Sequence, residues 1–135
     1  MKTIPQIQKV MTAMPHTIGS DQTLSVAKEM MSEHGIRHLP VLNGSRLVGL
    51  LSDRDIAVAS SFKGSSEMKV DDVMMSMAYV VKPEAPLNEV VSKMAANKYG
   101  SVVVQQDNGK VVGIFTSVDA LRYLSEVLEK NYKAA

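Results

Sequence analysis

The chain has no cysteine and no tryptophan, and aromatic residues make up only 4% of its 135 positions. Without cysteine, disulfides, thiolate metal sites and a cysteine nucleophile are excluded. The formal charge is only +1 at pH 7. With no basic run among aromatics, the electrostatic footprint of a nucleic-acid binder is missing. No apolar stretch approaches the roughly 20 residues of a membrane span, and MKTIPQIQKV at the start lacks the apolar core of a secretory signal. A cytoplasmic chain with no nucleic-acid or membrane partner is therefore expected. What is present is an apolar content of 45%, enough for a real core in one compact domain or two small halves. Ten methionines accompany it. Met31 and Met94 stand at helical spacing from Leu24 and Leu87, so core filling is the expected role.

The sequence is written twice. A shift of 63 residues lays Val10-Met11 on Val73-Met74, Met14 on Met77, Leu24 on Leu87, Met31 on Met94 and Val41 on Val104. One inserted residue near the Asn-Gly pairs moves the offset to 64, and Val48-Gly49 then matches Val112-Gly113 and Asp55 matches Asp119. Self-similarity of this kind marks an internal repeat. Each copy reads as strand, helix, strand, turn, strand, helix. His16–Ile18 and Tyr79–Val81 form short extended leads. Leu24, Ala27 and Met31, and Leu87, Val90, Val91 and Met94, define helices. Thr23 suits the cap of the first, and Pro86 the first turn of the second. Strands are expected over Leu39–Leu42 and Ser101–Gln105, hairpin turns at Asn43-Gly44 and Asn108-Gly109, and buried strands over Arg46–Leu51 and Lys110–Phe115. The Ser- and Gly-containing SSFKGSSEMK reads as the connector, with Lys63 and Lys69 solvated. The resulting division is a first repeat over 1–62, a connector over 63–69 and a second repeat over 70–135. Sixty residues with one small sheet bury both faces poorly, so two copies packed sheet to sheet are expected.

The chemistry concentrates where each buried strand runs into a helix. GLLSDRDIA (Gly49–Ala57) and GIFTSVDAL (Gly113–Leu121) share a glycine, two apolar residues, a hydroxyl residue, two further residues and an aspartate. Two readings compete. In one, Ser52 with Asp55 and Thr116 with Asp119 are capping boxes that satisfy the helix's own N–H groups. In the other, the free N–H groups and partial positive charge of the helix start favour a phosphate. The carboxylate would then accept from the paired hydroxyls of a ribose. Spacing alone leaves both open. His16 and His34 belong to no metal-ligand spacing, and no Ser-His-Asp set or carboxylate pair suggests catalysis.

The stretches VMTAMPHTIGSDQTLSVAKEMMSEHGIRHLPVLNGSRLVGLLSDRDI and VMMSMAYVVKPEAPLNEVVSKMAANKYGSVVVQQDNGKVVGIFTSVDAL resemble a tandem pair of CBS domains, a Bateman module. HGIRHLPVL followed by GLLSDRDI carries the resemblance most strongly. It implies a fold of the α+β or α/β class, with two β-α-β-β-α repeats packed sheet to sheet with pseudo-two-fold symmetry. It also implies two clefts that take AMP, ADP, ATP or S-adenosylmethionine. By resemblance, one cleft combines Ile114, Thr116, Ser117 and Asp119 with Thr17, Ile18, Ile36, Arg37, His38 and Pro40. The other combines Leu50, Ser52, Arg54 and Asp55 with Val80, Val81, Tyr99, Gly100 and Ser101. The second copy departs from the family's apolar-Pro-Val strand: Val102-Val103-Val104 stands where the first has Leu39-Pro40-Val41. Arg37 and His38 rank the Asp119 cleft first for a phosphorylated ligand. The function implied is a non-enzymatic nucleotide sensor, without required cofactor or metal, that signals to an unknown regulated protein. The alternative is a ligand-free interaction module whose motifs are only caps. A homodimer is expected, drawing on the stripe of Leu121, Leu124, Val127 and Leu128.

Overall fold

A computed structural model describes residues 2–135. In chain order the elements are β1 (Thr12–Ala13), β2 (Ile18–Gly19), α1 (Leu24–His34), β3 (His38–Asn43), β4 (Arg46–Ser52), α2 (Asp53–Ala59), β5 (Val80–Val81), α3 (Leu87–Asn97), β6 (Ser101–Gln105), β7 (Val111–Thr116) and α4 (Ser117–Asn131). Each copy follows the expected order, in two compact units.

The unit spanning Pro15–Ala78 holds a three-stranded sheet in the order β2-β3-β4, parallel then antiparallel. Leu39, Val41 and Leu51 from the sheet, with Leu24, Ala27 and Met31 from α1, are buried together. Helix α1 starts where Thr23 Oγ1 accepts from Val26 N–H at 3.4 Å, and it ends at Gly35 with φ 62°. That left-handed C-cap suits glycine. The connector is not loose at its far end: Leu24 N–H donates to Met68 O at 2.8 Å, and Val70 is fully buried. Lys63 and Lys69 are exposed as expected.

The other unit joins the head, through Met14, to Tyr79–Ala135, with sheet order β1-β7-β6-β5. Val102, Val104 and Phe115 bury against Leu87, Val90 and Met94 of α3, and Ile7 of the head lies in the same core. Pro86 is the N-cap of α3 rather than a first-turn residue. Its carbonyl accepts from Glu89 and Val90 N–H, and a residue lacking N–H loses nothing there.

The segment that precedes each repeat in sequence packs with the other repeat. Strand β1 pairs antiparallel with β7, Thr12 opposite Ile114. Met75 forms the corresponding bridge to Leu50 on β4. The expected boundaries 1–62, 63–69 and 70–135 are therefore not those of the packed units. The physical reason is the free edge of each last strand, whose N–H and C=O groups need partners. Two glycines make room: a Cβ on Gly113 would overlap Met11 Sδ, and one on Gly49 would stand 2.6 Å from Met74 Sδ and 2.7 Å from Met75 O.

Other differences are local. The leads shorten to Ile18–Gly19 and Val80–Val81. The first hairpin turns at Gly44-Ser45, with Asn43 still paired to Arg46. The second has a longer loop before Val111, which holds the inserted residue. Met31 and Met94 are core residues, but Met14, Met75 and Met77 are exposed, so core filling does not cover them.

Candidate functional site

Both hydroxyl-aspartate motifs fall where the sequence placed them, at the start of α2 and of α4, and both form complete capping boxes. Ser52 Oγ accepts from Asp55 N–H at 3.1 Å, and Asp55 Oδ2 accepts from Ser52 N–H at 3.0 Å. Thr116 Oγ1 accepts from Asp119 N–H at 3.3 Å, while Asp119 Oδ2 accepts from Thr116 N–H at 2.9 Å and from the Thr116 hydroxyl at 3.2 Å. The preceding loop adds one bond to each start: Asp53 N–H donates to Arg37 O at 2.9 Å, and Ser117 N–H to Gly100 O at 3.0 Å. The middle N–H of each first turn, from Arg54 and Val118, has no hydrogen-bond partner among the described residues. Each helix start thus retains a donor as well as its dipole.

The aspartates differ in their second oxygen. Asp119 Oδ1 is paired with Arg122 Nη1 at 3.2 Å. Asp55 Oδ1 has no hydrogen bond or ion pair among the described residues.

The sheet registers bring further candidates beside these starts. His38 lies opposite Ser52, Pro40 opposite Leu50, Ser101 opposite Thr116, and Val103 opposite Ile114. Within each unit the strand candidates therefore adjoin that unit's own motif. Ile18 and Pro40 are buried, Thr17, Ile36 and His38 are half-buried, and Arg37 is exposed. In the other unit Val80, Gly100 and Ser117 are exposed, and Val81 is half-buried. Tyr99 packs against Tyr79, ring centroids 5.3 Å apart, and Lys93 Nζ stands 4.9 Å above the Tyr79 ring. Arg54 is exposed and makes no ion pair among the described residues.

Two of the candidates, His38 and Ser101, have shifted or unmet electrostatics. Burial lowers the pKa of His38 below its ordinary 6.5, against the opposing pull of Asp53. The imidazole is therefore neutral at pH 7, and the expected cation at that position is Arg37 alone. Ser101 Oγ is buried without a hydrogen-bond partner among the described residues, the residue being 4% exposed. His16 and His34 stack at 3.7 Å, which sequence spacing did not suggest. No cluster of three or more metal-ligating side chains occurs among the described residues.

The CBS domain family profile matches residues 7–61 and 70–126. The chain belongs to the CBS domain family. This CBS pair is 31% identical over 103 residues to the inosine-5'-monophosphate dehydrogenase of Korarchaeum cryptofilum, covering 76% of the chain but 21% of that enzyme. It is 30% identical to hypoxic response protein 1 of Mycobacterium tuberculosis, covering 87% of the chain and 83% of that protein. The chain thus spans about a fifth of the one relative and most of the other. Among solved structures, AcuB of Vibrio cholerae matches with a TM-score of 0.85 at 28% identity, over 98% of this chain and 100% of the other. The CBS pair of protein MJ0100, solved with 5'-methylthioadenosine and S-adenosyl-L-methionine, matches with a TM-score of 0.85 at 26% identity, over 93% and 99%. No helix among the described residues is long and apolar enough to cross a membrane.

Proposed function

We propose that this CBS pair is a regulatory sensor that binds an adenosine-containing ligand. Each site would be built on one of the two helix starts. The supporting observation is the pair of helix starts at Ser52-Asp55 and Thr116-Asp119, each with an unengaged first-turn N–H. The relative MJ0100, solved with two adenosine-containing ligands, supports the ligand class. An anion suits the N–H groups, and a carboxylate suits a ribose diol. AMP, ADP, ATP and S-adenosylmethionine share the adenosine this arrangement would grip. Ligand binding signals to a protein partner by favouring one arrangement of the repeats, by no more than its differential affinity for the two arrangements. The module performs no catalysis of its own, works in the cytoplasm and acts as a homodimer. The dimer reading is supported by α4, whose Leu121, Leu124 and Leu128 remain exposed beside a groove of about 470 Å³ floored by Leu87 and Phe115.

A second reading is a ligand-free interaction module, favoured by the fact that both capping boxes close without any ligand. A thermal-shift panel of the four ligands separates the two. A melting temperature that rises with ligand concentration supports the sensor, and one that stays constant for all four leaves the interaction module.

A further inference from the structure

The two helix starts are equivalent by repeat but not by chemistry. At the shared offset, Arg122 corresponds to Val58. Asp119 therefore has a cation three residues on, held at 3.2 Å from Oδ1, whereas Asp55 has an apolar side chain there and an Oδ1 unpaired among the described residues. The Asp119 side chain is 10% exposed and Arg122 is 64% exposed. The guanidinium thus approaches the carboxylate from solvent.

We propose that Arg122 makes the α4 start selective for phosphate-bearing adenosine ligands over uncharged ones. This inference rests on the nucleotide-binding reading above and deepens it. With Oδ2 already accepting two hydrogen bonds from the cap, a ribose hydroxyl must share Oδ1 with the guanidinium or displace it. An exposed ion pair of this kind is weak, so displacement is feasible. Its outcome depends on the ligand. A phosphate gives the displaced guanidinium a replacement anion with matching fork geometry. A neutral nucleoside gives it none. A second observation concerns the same strand end. Resemblance gives Ser101 to the other cleft, but its register sets it opposite Thr116, so the two side chains leave the sheet on one side, and its buried hydroxyl has no partner among the described residues. Buried polar groups left in that condition are uncommon in folded proteins.

The test is calorimetric titration of AMP and of adenosine into wild type, Arg122→Val and Val58→Arg. Wild type should prefer AMP. Arg122→Val should lower the AMP-to-adenosine affinity ratio about tenfold, chiefly through weaker AMP binding. Val58→Arg should raise the ratio for the Asp55 site. A ratio within about twofold of wild type in Arg122→Val, with AMP still binding, overturns the inference and leaves the sensor reading intact. Absence of AMP binding to wild type overturns both. Should Arg122→Val fail to fold, Val58→Arg decides alone: a raised ratio supports the assignment and an unchanged one overturns it.

Discussion

Gly49→Ala and Gly113→Ala test how the preceding segments dock on the sheets. In an ordinary strand either change would stabilise by about 0.4–1 kcal/mol, because alanine restricts the unfolded chain. Here Gly49 faces backbone: its Cβ would lie 2.7 Å from Met75 O, which accepts Leu50 N–H at 2.9 Å while Met75 N–H donates to Leu50 O at 2.8 Å. Moving Met75 sacrifices two hydrogen bonds worth about 0.5–1.5 kcal/mol each, and overpacking adds about 1–3 kcal/mol. The net loss is about 1–6 kcal/mol for Gly49→Ala. At Gly113 the three nearest atoms all belong to the flexible Met11 side chain, so the loss should be smaller, about 1–2 kcal/mol. Urea denaturation of double-mutant cycles separates the cases. Met11→Ala should relieve most of the Gly113→Ala strain, giving a coupling of about 1 kcal/mol or more. Met74→Ala should relieve little of the Gly49→Ala strain, because Met75 O remains. Wild-type stability in Gly49→Ala, or full rescue by Met74→Ala, would refute the backbone argument.

Three further outcomes follow from single residues. Thr116→Ala should lower stability by about 1 kcal/mol through the lost cap, read as a lower melting temperature without ligand. Lys98→Gly should raise stability by about 0.5–1 kcal/mol, because Lys98 holds the left-handed C-cap of α3 (φ 57°) that Gly35 holds in α1. His38 has a folded pKa below 6.5, so between the two values the unfolded chain binds a proton that the folded chain does not. Stability should therefore fall as pH drops below about 6.5. His38→Gln should flatten that part of a stability-against-pH curve, and an unchanged slope would count against His38 as its source.

The element order was legible because periodicity and capping agree locally: Leu24, Ala27 and Met31 fix one helix face, and Thr23 fixes its start. The exchange of preceding segments was not. Val10-Met11 and Val73-Met74 reveal that the chain repeats, but no local pattern tells which sheet edge such a short segment completes. Gly49 and Gly113 held the clue, since glycine inside an apolar strand signals close approach of another segment. The hydroxyl-aspartate motifs gave their own positions, but not the fate of each carboxylate oxygen. That depends on Arg122 against Val58, a difference visible only after the repeats are aligned. Ser101 was placed by resemblance in the Asp55 cleft, whereas its unmet hydroxyl depends on burial that sequence does not display.

The most direct measurement is calorimetric titration of AMP into wild type, Asp119→Ala and Asp55→Ala. A saturable heat in wild type is expected, with affinity reduced about tenfold or more in Asp119→Ala and less in Asp55→Ala, in keeping with hydrogen bonds to a charged acceptor. Saturable binding that Asp119→Ala leaves untouched, or no heat with wild type at all, would contradict the assignment of the α4 start as the principal nucleotide site.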